Sequence, residues 1–199
     1  MKKTFWIDMD GVLVQYDYSI YTPDEDGVMP FMFPHTHCFL RQKPDENMVR
    51  AFNLLYEISK RTGVFDVHVL TSIPQSLIQG EHTMDKFEWC KTYLGTKDFP
   101  FDERDFYCTS VKKHNAVAES LWELTESDIL VDDYKPNLYN WQDKGGRAIK
   151  CLNGINSYGK DFLNISTLWH PNRIAGVLLG MAHCNIFNGQ ISQSAGINY

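Results

Sequence analysis

The 199-residue sequence has no paired-cysteine motif. Cys38, Cys90, Cys108, Cys151 and Cys184 are widely spaced, none forms a C-x-x-C, and their number is odd. That argues against a disulfide-stapled scaffold and for free thiols in a reducing compartment. Positive charge is not in excess either. Lys and Arg total 19 against 25 Asp and Glu, giving a net charge of -6 and a pI near 5.6. The basic residues are scattered, so no nucleic-acid surface is expected. Long apolar runs are missing. The longest, Ile174 to Ala182, is far too short to span a bilayer. The opening MKKTFWIDMDG carries two lysines, but aspartate interrupts its apolar run too early for a signal peptide. A cytoplasmic protein with neither membrane nor nucleic acid as partner is expected; nothing in the sequence sets an oligomeric state. What is present is 43% hydrophobic and 14% aromatic residues, enough for one sizeable core, and a single domain over residues 1–199 is expected.

Strands and helices alternate along the chain. Thr4 to Val14 is rich in apolar, aromatic and β-branched residues and reads as a strand buried on both faces. Asp45 to Arg61 spaces Met48, Ala51, Phe52, Leu54, Leu55 and Ile58 as a helix, with Pro44 and Asp45 at its start and Gly63 at its end. Phe65 to Ser72 is a second strand. A helix from Asp85 to Leu94, a short strand from Asp105 to Thr109 and a helix from Lys113 to Leu124 follow. Ile129 to Asp133 is another strand. A short helix after Lys135 and a glycine turn at Gly145 and Gly146 lead to a last strand, Arg147 to Leu152. This alternation predicts an α/β fold: a Rossmann-like, doubly wound parallel sheet covered on both faces.

Three of these apolar strands end in polar groups: Asp8 and Asp10, then Thr71 and Ser72, then Asp132 and Asp133. In a doubly wound parallel sheet the carboxyl ends of the strands form one edge, and ligands bind in the crevice there. The polar ends should therefore converge in space. Acids gathered in a partly buried crevice cannot all stay ionised without a cation, and a hard ion with oxygen ligands, Mg²⁺, fits. A D-x-D alone is ambiguous, because acids at strand ends also serve as turn and cap residues. A lysine alone is usually part of a solvated face. Their order along the chain is what carries information.

That ordered set resembles the haloacid dehalogenase superfamily of aspartate-nucleophile phosphatases. Asp8-Met9-Asp10-Gly11-Val12 matches its first motif, Val69-Leu70-Thr71-Ser72 its second, Lys113 or its neighbour Lys112 its third, and Ile129-Leu130-Val131-Asp132-Asp133 its fourth. The Thr-Ser ending and the Leu-Val-Asp-Asp strand look most like the 5'(3')-deoxyribonucleotidase branch. The resemblance implies that Asp8 attacks phosphorus and forms an aspartyl-phosphate, with Asp10 as general acid and then base. It also implies Mg²⁺ held by Asp8, the Asp10 carbonyl and Asp132, phosphate held by Thr71, Ser72 and Lys113, and Asp133 behind them, through water on the metal or against Lys113. Receiver domains use similar residues, but their acid pair, phospho-acceptor, hydroxyl and lysine follow one another in a different order.

The implied substrate is a small phosphorylated metabolite, in first place a nucleoside monophosphate. A sugar phosphate is the alternative, and a catalytically idle phosphate- or protein-binding homologue a third reading. Residues 15–43 form a short cap insert rich in aromatics, with Tyr16, Tyr18, Tyr21, Phe31, Phe33 and Phe39. These rings are expected either to stack on a base or to be buried under the cap. Within it, His35-Thr36-His37-Cys38 superficially suggests zinc but lacks a second ligand pair at suitable spacing. Asn137 is placed either near the metal or at a helix cap. Residues 168–199 are read as a final helix followed by a mobile tail from about 185.

Overall fold

The computed structural model describes residues 2–33, 36–77, 80–121, 123–156 and 160–183. Six parallel strands make one sheet: β1 (Lys3–Ile7), β2 (Phe65–Ser72), β3 (Phe106–Thr109), β4 (Asp128–Asp132), β5 (Arg147–Leu152) and β6 (Leu163–Ser166), in the order β3-β2-β1-β4-β5-β6. The helices are α1 (Tyr18–Tyr21), α2 (Glu46–Thr62), α3 (Glu81–Tyr93), α4 (Lys113–Leu121), α5 (Lys135–Asp143) and α6 (Pro171–His183).

Alternation of side chains along each strand sends apolar groups both ways. Phe5, Ile7, Val67, Val69, Ile129, Val131, Ile149 and Cys151 join one core with residues of α2, α3 and α6. Trp6, Leu70, Leu130 and Ala148 join a second with Val117 of α4 and Leu138 and Trp141 of α5. The sheet is therefore covered on both faces, as the unbroken apolar strands require. Asp128 ties the second face together: its carboxylate accepts from the Trp6 indole at 3.2 Å and its carbonyl from the Trp141 indole at 3.1 Å.

Several expected boundaries move. The first strand stops at Ile7, not Val14. The amides of Val12, Leu13 and Val14 all donate to the Met9 carbonyl, winding the apolar residues into a tight loop. The loop turns at Gly11, whose φ of 76° is open to glycine at little cost. Helix α3 begins at Glu81 rather than Asp85. Its buried stripe is His82, Asp85, Lys86, Trp89 and Cys90, so the inward face is mostly polar in its first half and gives no hydrophobic period. The strand expected from Asp105 starts at Phe106, after a 3-10 turn over Glu103–Asp105. The helix from Lys113 ends at Leu121, short of Leu124. β6 is an addition to the expected set, and the expected final helix is present as α6.

The insert over 15–43 holds α1 and a 3-10 turn at Pro30–Met32. It is pinned by Ile20, Cys38 and Phe39, which pack on Ile73 just beyond β2. Among the described residues no helix is long and apolar enough to cross a membrane, and Cys38, Cys90, Cys108 and Cys151 are free thiols. The tail from residue 184 lies outside the described residues.

Candidate active site

Register builds the site. Ile7 is the partner of Val131 across β1 and β4, and the Asp8 amide donates to the Val131 carbonyl at 2.9 Å. The next residues outward, Asp8 and Asp132, therefore emerge side by side from the two central strands. Asp8 is 7% exposed and Asp132 fully buried. Lys113, the first residue of α4, puts its ammonium 2.5 Å from Asp8 Oδ1 and 2.7 Å from Asp132 Oδ2. Lys112 is exposed. The lysine that meets the acids is thus Lys113.

Asp132 is further held by the Tyr134 amide at 2.7 Å and the Asn137 side chain at 3.0 Å. Asn137 thus reaches the acid cluster, the first of the two places the sequence allowed it. Asp133 accepts from Asn153 at 2.8 Å and Asn156 at 2.6 Å, both in the loop after β5, while buried Lys150 donates to its backbone carbonyl. Asn153 also donates to the Gly11 carbonyl at 2.7 Å, which joins the first loop to this one. A Cβ on Gly11 would come within 2.5 Å of Asp133 Oδ2.

Burial pushes the Asp8 carboxyl well above its ordinary range. Lys113 opposes that shift, and the charges of Asp132, Asp10 and Asp133 add to it. Asp133 is raised by burial and then by Asp132. Burial works against the charge on Lys113, but the two carboxylates beside it outweigh that and hold its ammonium above the usual lysine value. Three buried acids, Asp8, Asp132 and Asp133, offer one oxygen each within 4.8 Å of one another. An all-oxygen donor set with more negative charge than Lys113 balances fits a hard divalent cation such as Mg²⁺.

Asp10 stands outside that trio. Its Oδ2 meets the ammonium of Lys86 and, at 3.4 Å, the Thr71 hydroxyl. The Thr71 hydroxyl in turn accepts from Lys86 at 2.8 Å. Ser72 is exposed at the end of β2, and its carbonyl accepts from Lys86 at 3.3 Å. Tyr16 and Tyr21 of the insert stack at 5.0 Å with 14° between planes. Burial first, and then the nearby Asp10 charge, raise both phenols. His37 pairs with Asp85 at 2.9 Å and Cys38 is packed in the insert cluster; His35 lies outside the described residues. Among the described residues the acid trio is the one group of three or more metal-ligating side chains close enough to share an ion.

Sequence reading missed Lys86, Asn153 and Asn156. The asparagines carry no signal beyond following a strand. Lys86 had one: it lies at helical spacing from Trp89 and Cys90, on the same face.

The fold is similar to that of two solved hydrolase structures. A D,D-heptose 1.7-bisphosphate phosphatase from B. bronchiseptica, crystallised with magnesium and phosphate, superposes with a TM-score of 0.58 at 11% identity, over 89% of this chain and 98% of that one. A haloacid dehalogenase-like family hydrolase from Streptococcus pneumoniae gives a TM-score of 0.53 at 13% identity, over 88% and 98%. At such identities the likeness is one of fold. No protein-family model and no curated protein matches the sequence.

Proposed function

We propose that the chain is a Mg²⁺-dependent phosphomonoester hydrolase that works through an aspartyl-phosphate. The observation that carries this reading is the Lys113 ammonium set between Asp8 and Asp132, with Asp133 beside them, at the carboxyl edge of the sheet. Asp8, the Asp10 carbonyl and Asp132 would hold the ion, with Asp133 at its rim; bound there, it would neutralise phosphoryl charge and orient the ester. Asp8 attacks phosphorus as the ester P–O bond breaks. Asp10 gives the leaving oxygen a proton, then accepts one from the water that cleaves the acyl phosphate. Lys113 opposes the burial that favours a neutral Asp8 and aims its carboxylate. Ser72 is free to donate to a phosphoryl oxygen, and Thr71 can exchange its long contact with Asp10 for another.

The substrate class we favour is a nucleoside monophosphate, because Tyr16, stacked on Tyr21, lines a cavity with Gly11 and Asn153 beside the acid edge. Stacking a base on an aromatic ring is worth about 1–3 kcal/mol. The smallness of the insert favours a second reading, a sugar phosphate, which needs no base enclosure. Purified protein assayed against ribo- and deoxyribonucleotides, sugar phosphates and p-nitrophenyl phosphate, with Mg²⁺ and with chelator, separates these. Hydrolysis of none of them with Mg²⁺ present would overturn the reading.

A further inference from the structure

Lys86 is 1% exposed, on the inward face of α3. An ammonium so buried is costly unless each of its N–H groups has an acceptor. Lys86 has three: Asp10 Oδ2, the Thr71 hydroxyl and the Ser72 carbonyl. Its remaining side is closed by the Phe39 ring of the insert, whose centroid lies 4.6 Å from Nζ. With all three donors used by the protein, Lys86 has none left for a phosphate. Asp10 shows the complementary pattern. Its Oδ2 is taken by Lys86 and Thr71, while its Oδ1 is buried with no hydrogen-bond partner among the described residues.

We propose that Lys86 is the positioning residue for Asp10: by holding Oδ2 it fixes the carboxyl and leaves Oδ1, which has no partner among the described residues, as the oxygen that exchanges the proton. This rests on the phosphatase reading and adds to it a division of labour between two lysines. Lys113 serves the nucleophile and Lys86 serves the proton carrier. The proton moves from Asp10 Oδ1 to the ester oxygen as that oxygen keeps the electron pair of the breaking P–O bond. In the second step the same oxygen takes a proton from the attacking water. Phe39, packed over Lys86, makes the seating of the insert part of this arrangement.

The test is leaving-group dependence. With p-nitrophenyl phosphate the departing oxygen needs little protonation; with an alkyl phosphomonoester such as a hydrolysed member of the panel above it needs a full proton. Lys86→Met, Lys86→Gln, Asp10→Asn and the double variants are assayed on both, with melting temperatures measured alongside. The expected result, read as the single-turnover rate of leaving-group release, is a loss of about a hundredfold or more on the alkyl ester and less than tenfold on the nitrophenyl ester, while the second step, common to both, slows alike. Adding Lys86→Met to Asp10→Asn should cost little more. If Lys86→Met does not fold, Lys86→Gln, which keeps a donor, carries the same comparison. Equal losses on the two esters in the single-turnover release step, or none, overturn the role of Lys86 while the phosphatase reading stands. A wild type inactive on every phosphomonoester overturns both.

Discussion

Asp8 and Asp132 leave neighbouring parallel strands at the same level, because Ile7 and Val131 are partners in the ladder. Two buried carboxylates are thereby forced together, and the ammonium of Lys113 is what makes their proximity tolerable. The consequences can be measured.

Asp8→Asn should abolish turnover, with a loss of at least about a thousandfold, because a nucleophile acts as a unit with its partners. Circular dichroism should show an unchanged fold, since the amide occupies the same volume. Turnover near wild type would remove Asp8 from the reaction.

Lys113→Met should do more than stop catalysis. It leaves Asp8 and Asp132 buried without their cation, a loss of about 3–5 kcal/mol by analogy with other broken buried pairs. Chemical denaturation checks this, and added Mg²⁺ should recover part of the loss. Lys112→Ala, at an exposed position, should stay within about 0.5 kcal/mol of wild type.

The metal should bind in a pH-dependent way. Asp8 and Asp133 have raised carboxyl values. For such groups the stabilising contribution is complete below the unfolded value of about 3.9 and fades as pH rises through the folded one. Without metal, these two acids make the fold less stable on going from acid to neutral pH. Mg²⁺ needs them ionised, so the rise in melting temperature on adding Mg²⁺ should be small near pH 4 and grow towards pH 7. Asp132→Asn should weaken that response and, by loosening the contacts with Lys113, Tyr134 and Asn137, lower stability as well. A Mg²⁺ response independent of pH and of Asp132 would contradict this site.

A buried acid away from the site, Asp105, tests stability apart from chemistry. Asp105 accepts from the Tyr56 hydroxyl at 2.6 Å, pairs with Lys60 at 2.7 Å, and lies 3.2 Å from His68 Nδ1. Burial favours its neutral form, but His68, Lys60 and Tyr56 together prevail and lower its value. A lowered carboxyl stabilises above the unfolded value and loses that contribution as pH falls through the folded one. Asp105→Asn should therefore cost about 2–4 kcal/mol at neutral pH, with the gap to wild type closing below about pH 4. The kcat should be unchanged.

The sequence revealed the sheet and the acid edge because both depend on short-range patterns. Val69 to Ser72 and Ile129 to Asp133 show an apolar strand meeting polar residues at its end. Lys86 was hidden because its face of α3 mixes His82 and Asp85 with Trp89 and Cys90, so no apolar stripe announced which way the helix faces. The sixth strand, Leu-Asn-Ile-Ser, is four residues long with only Ile165 and Ser166 buried, too brief for a period. Met9 to Val14 misled in the opposite sense: all apolar apart from Asp10 and Gly11, yet wound around one carbonyl rather than extended.

The central pair of strands also sets when the molecule becomes competent. Trp6 and Asp128, bonded to each other, stand 122 positions apart. Parallel pairing across such a span is slow, because the intervening chain must first be closed into a loop. A chain synthesised only as far as β3 carries Asp8 and Asp10 but neither Lys113 nor Asp132. On the proposed reading, chemistry is withheld until the second half of the protein has docked, and a truncated product would be silent rather than half-active.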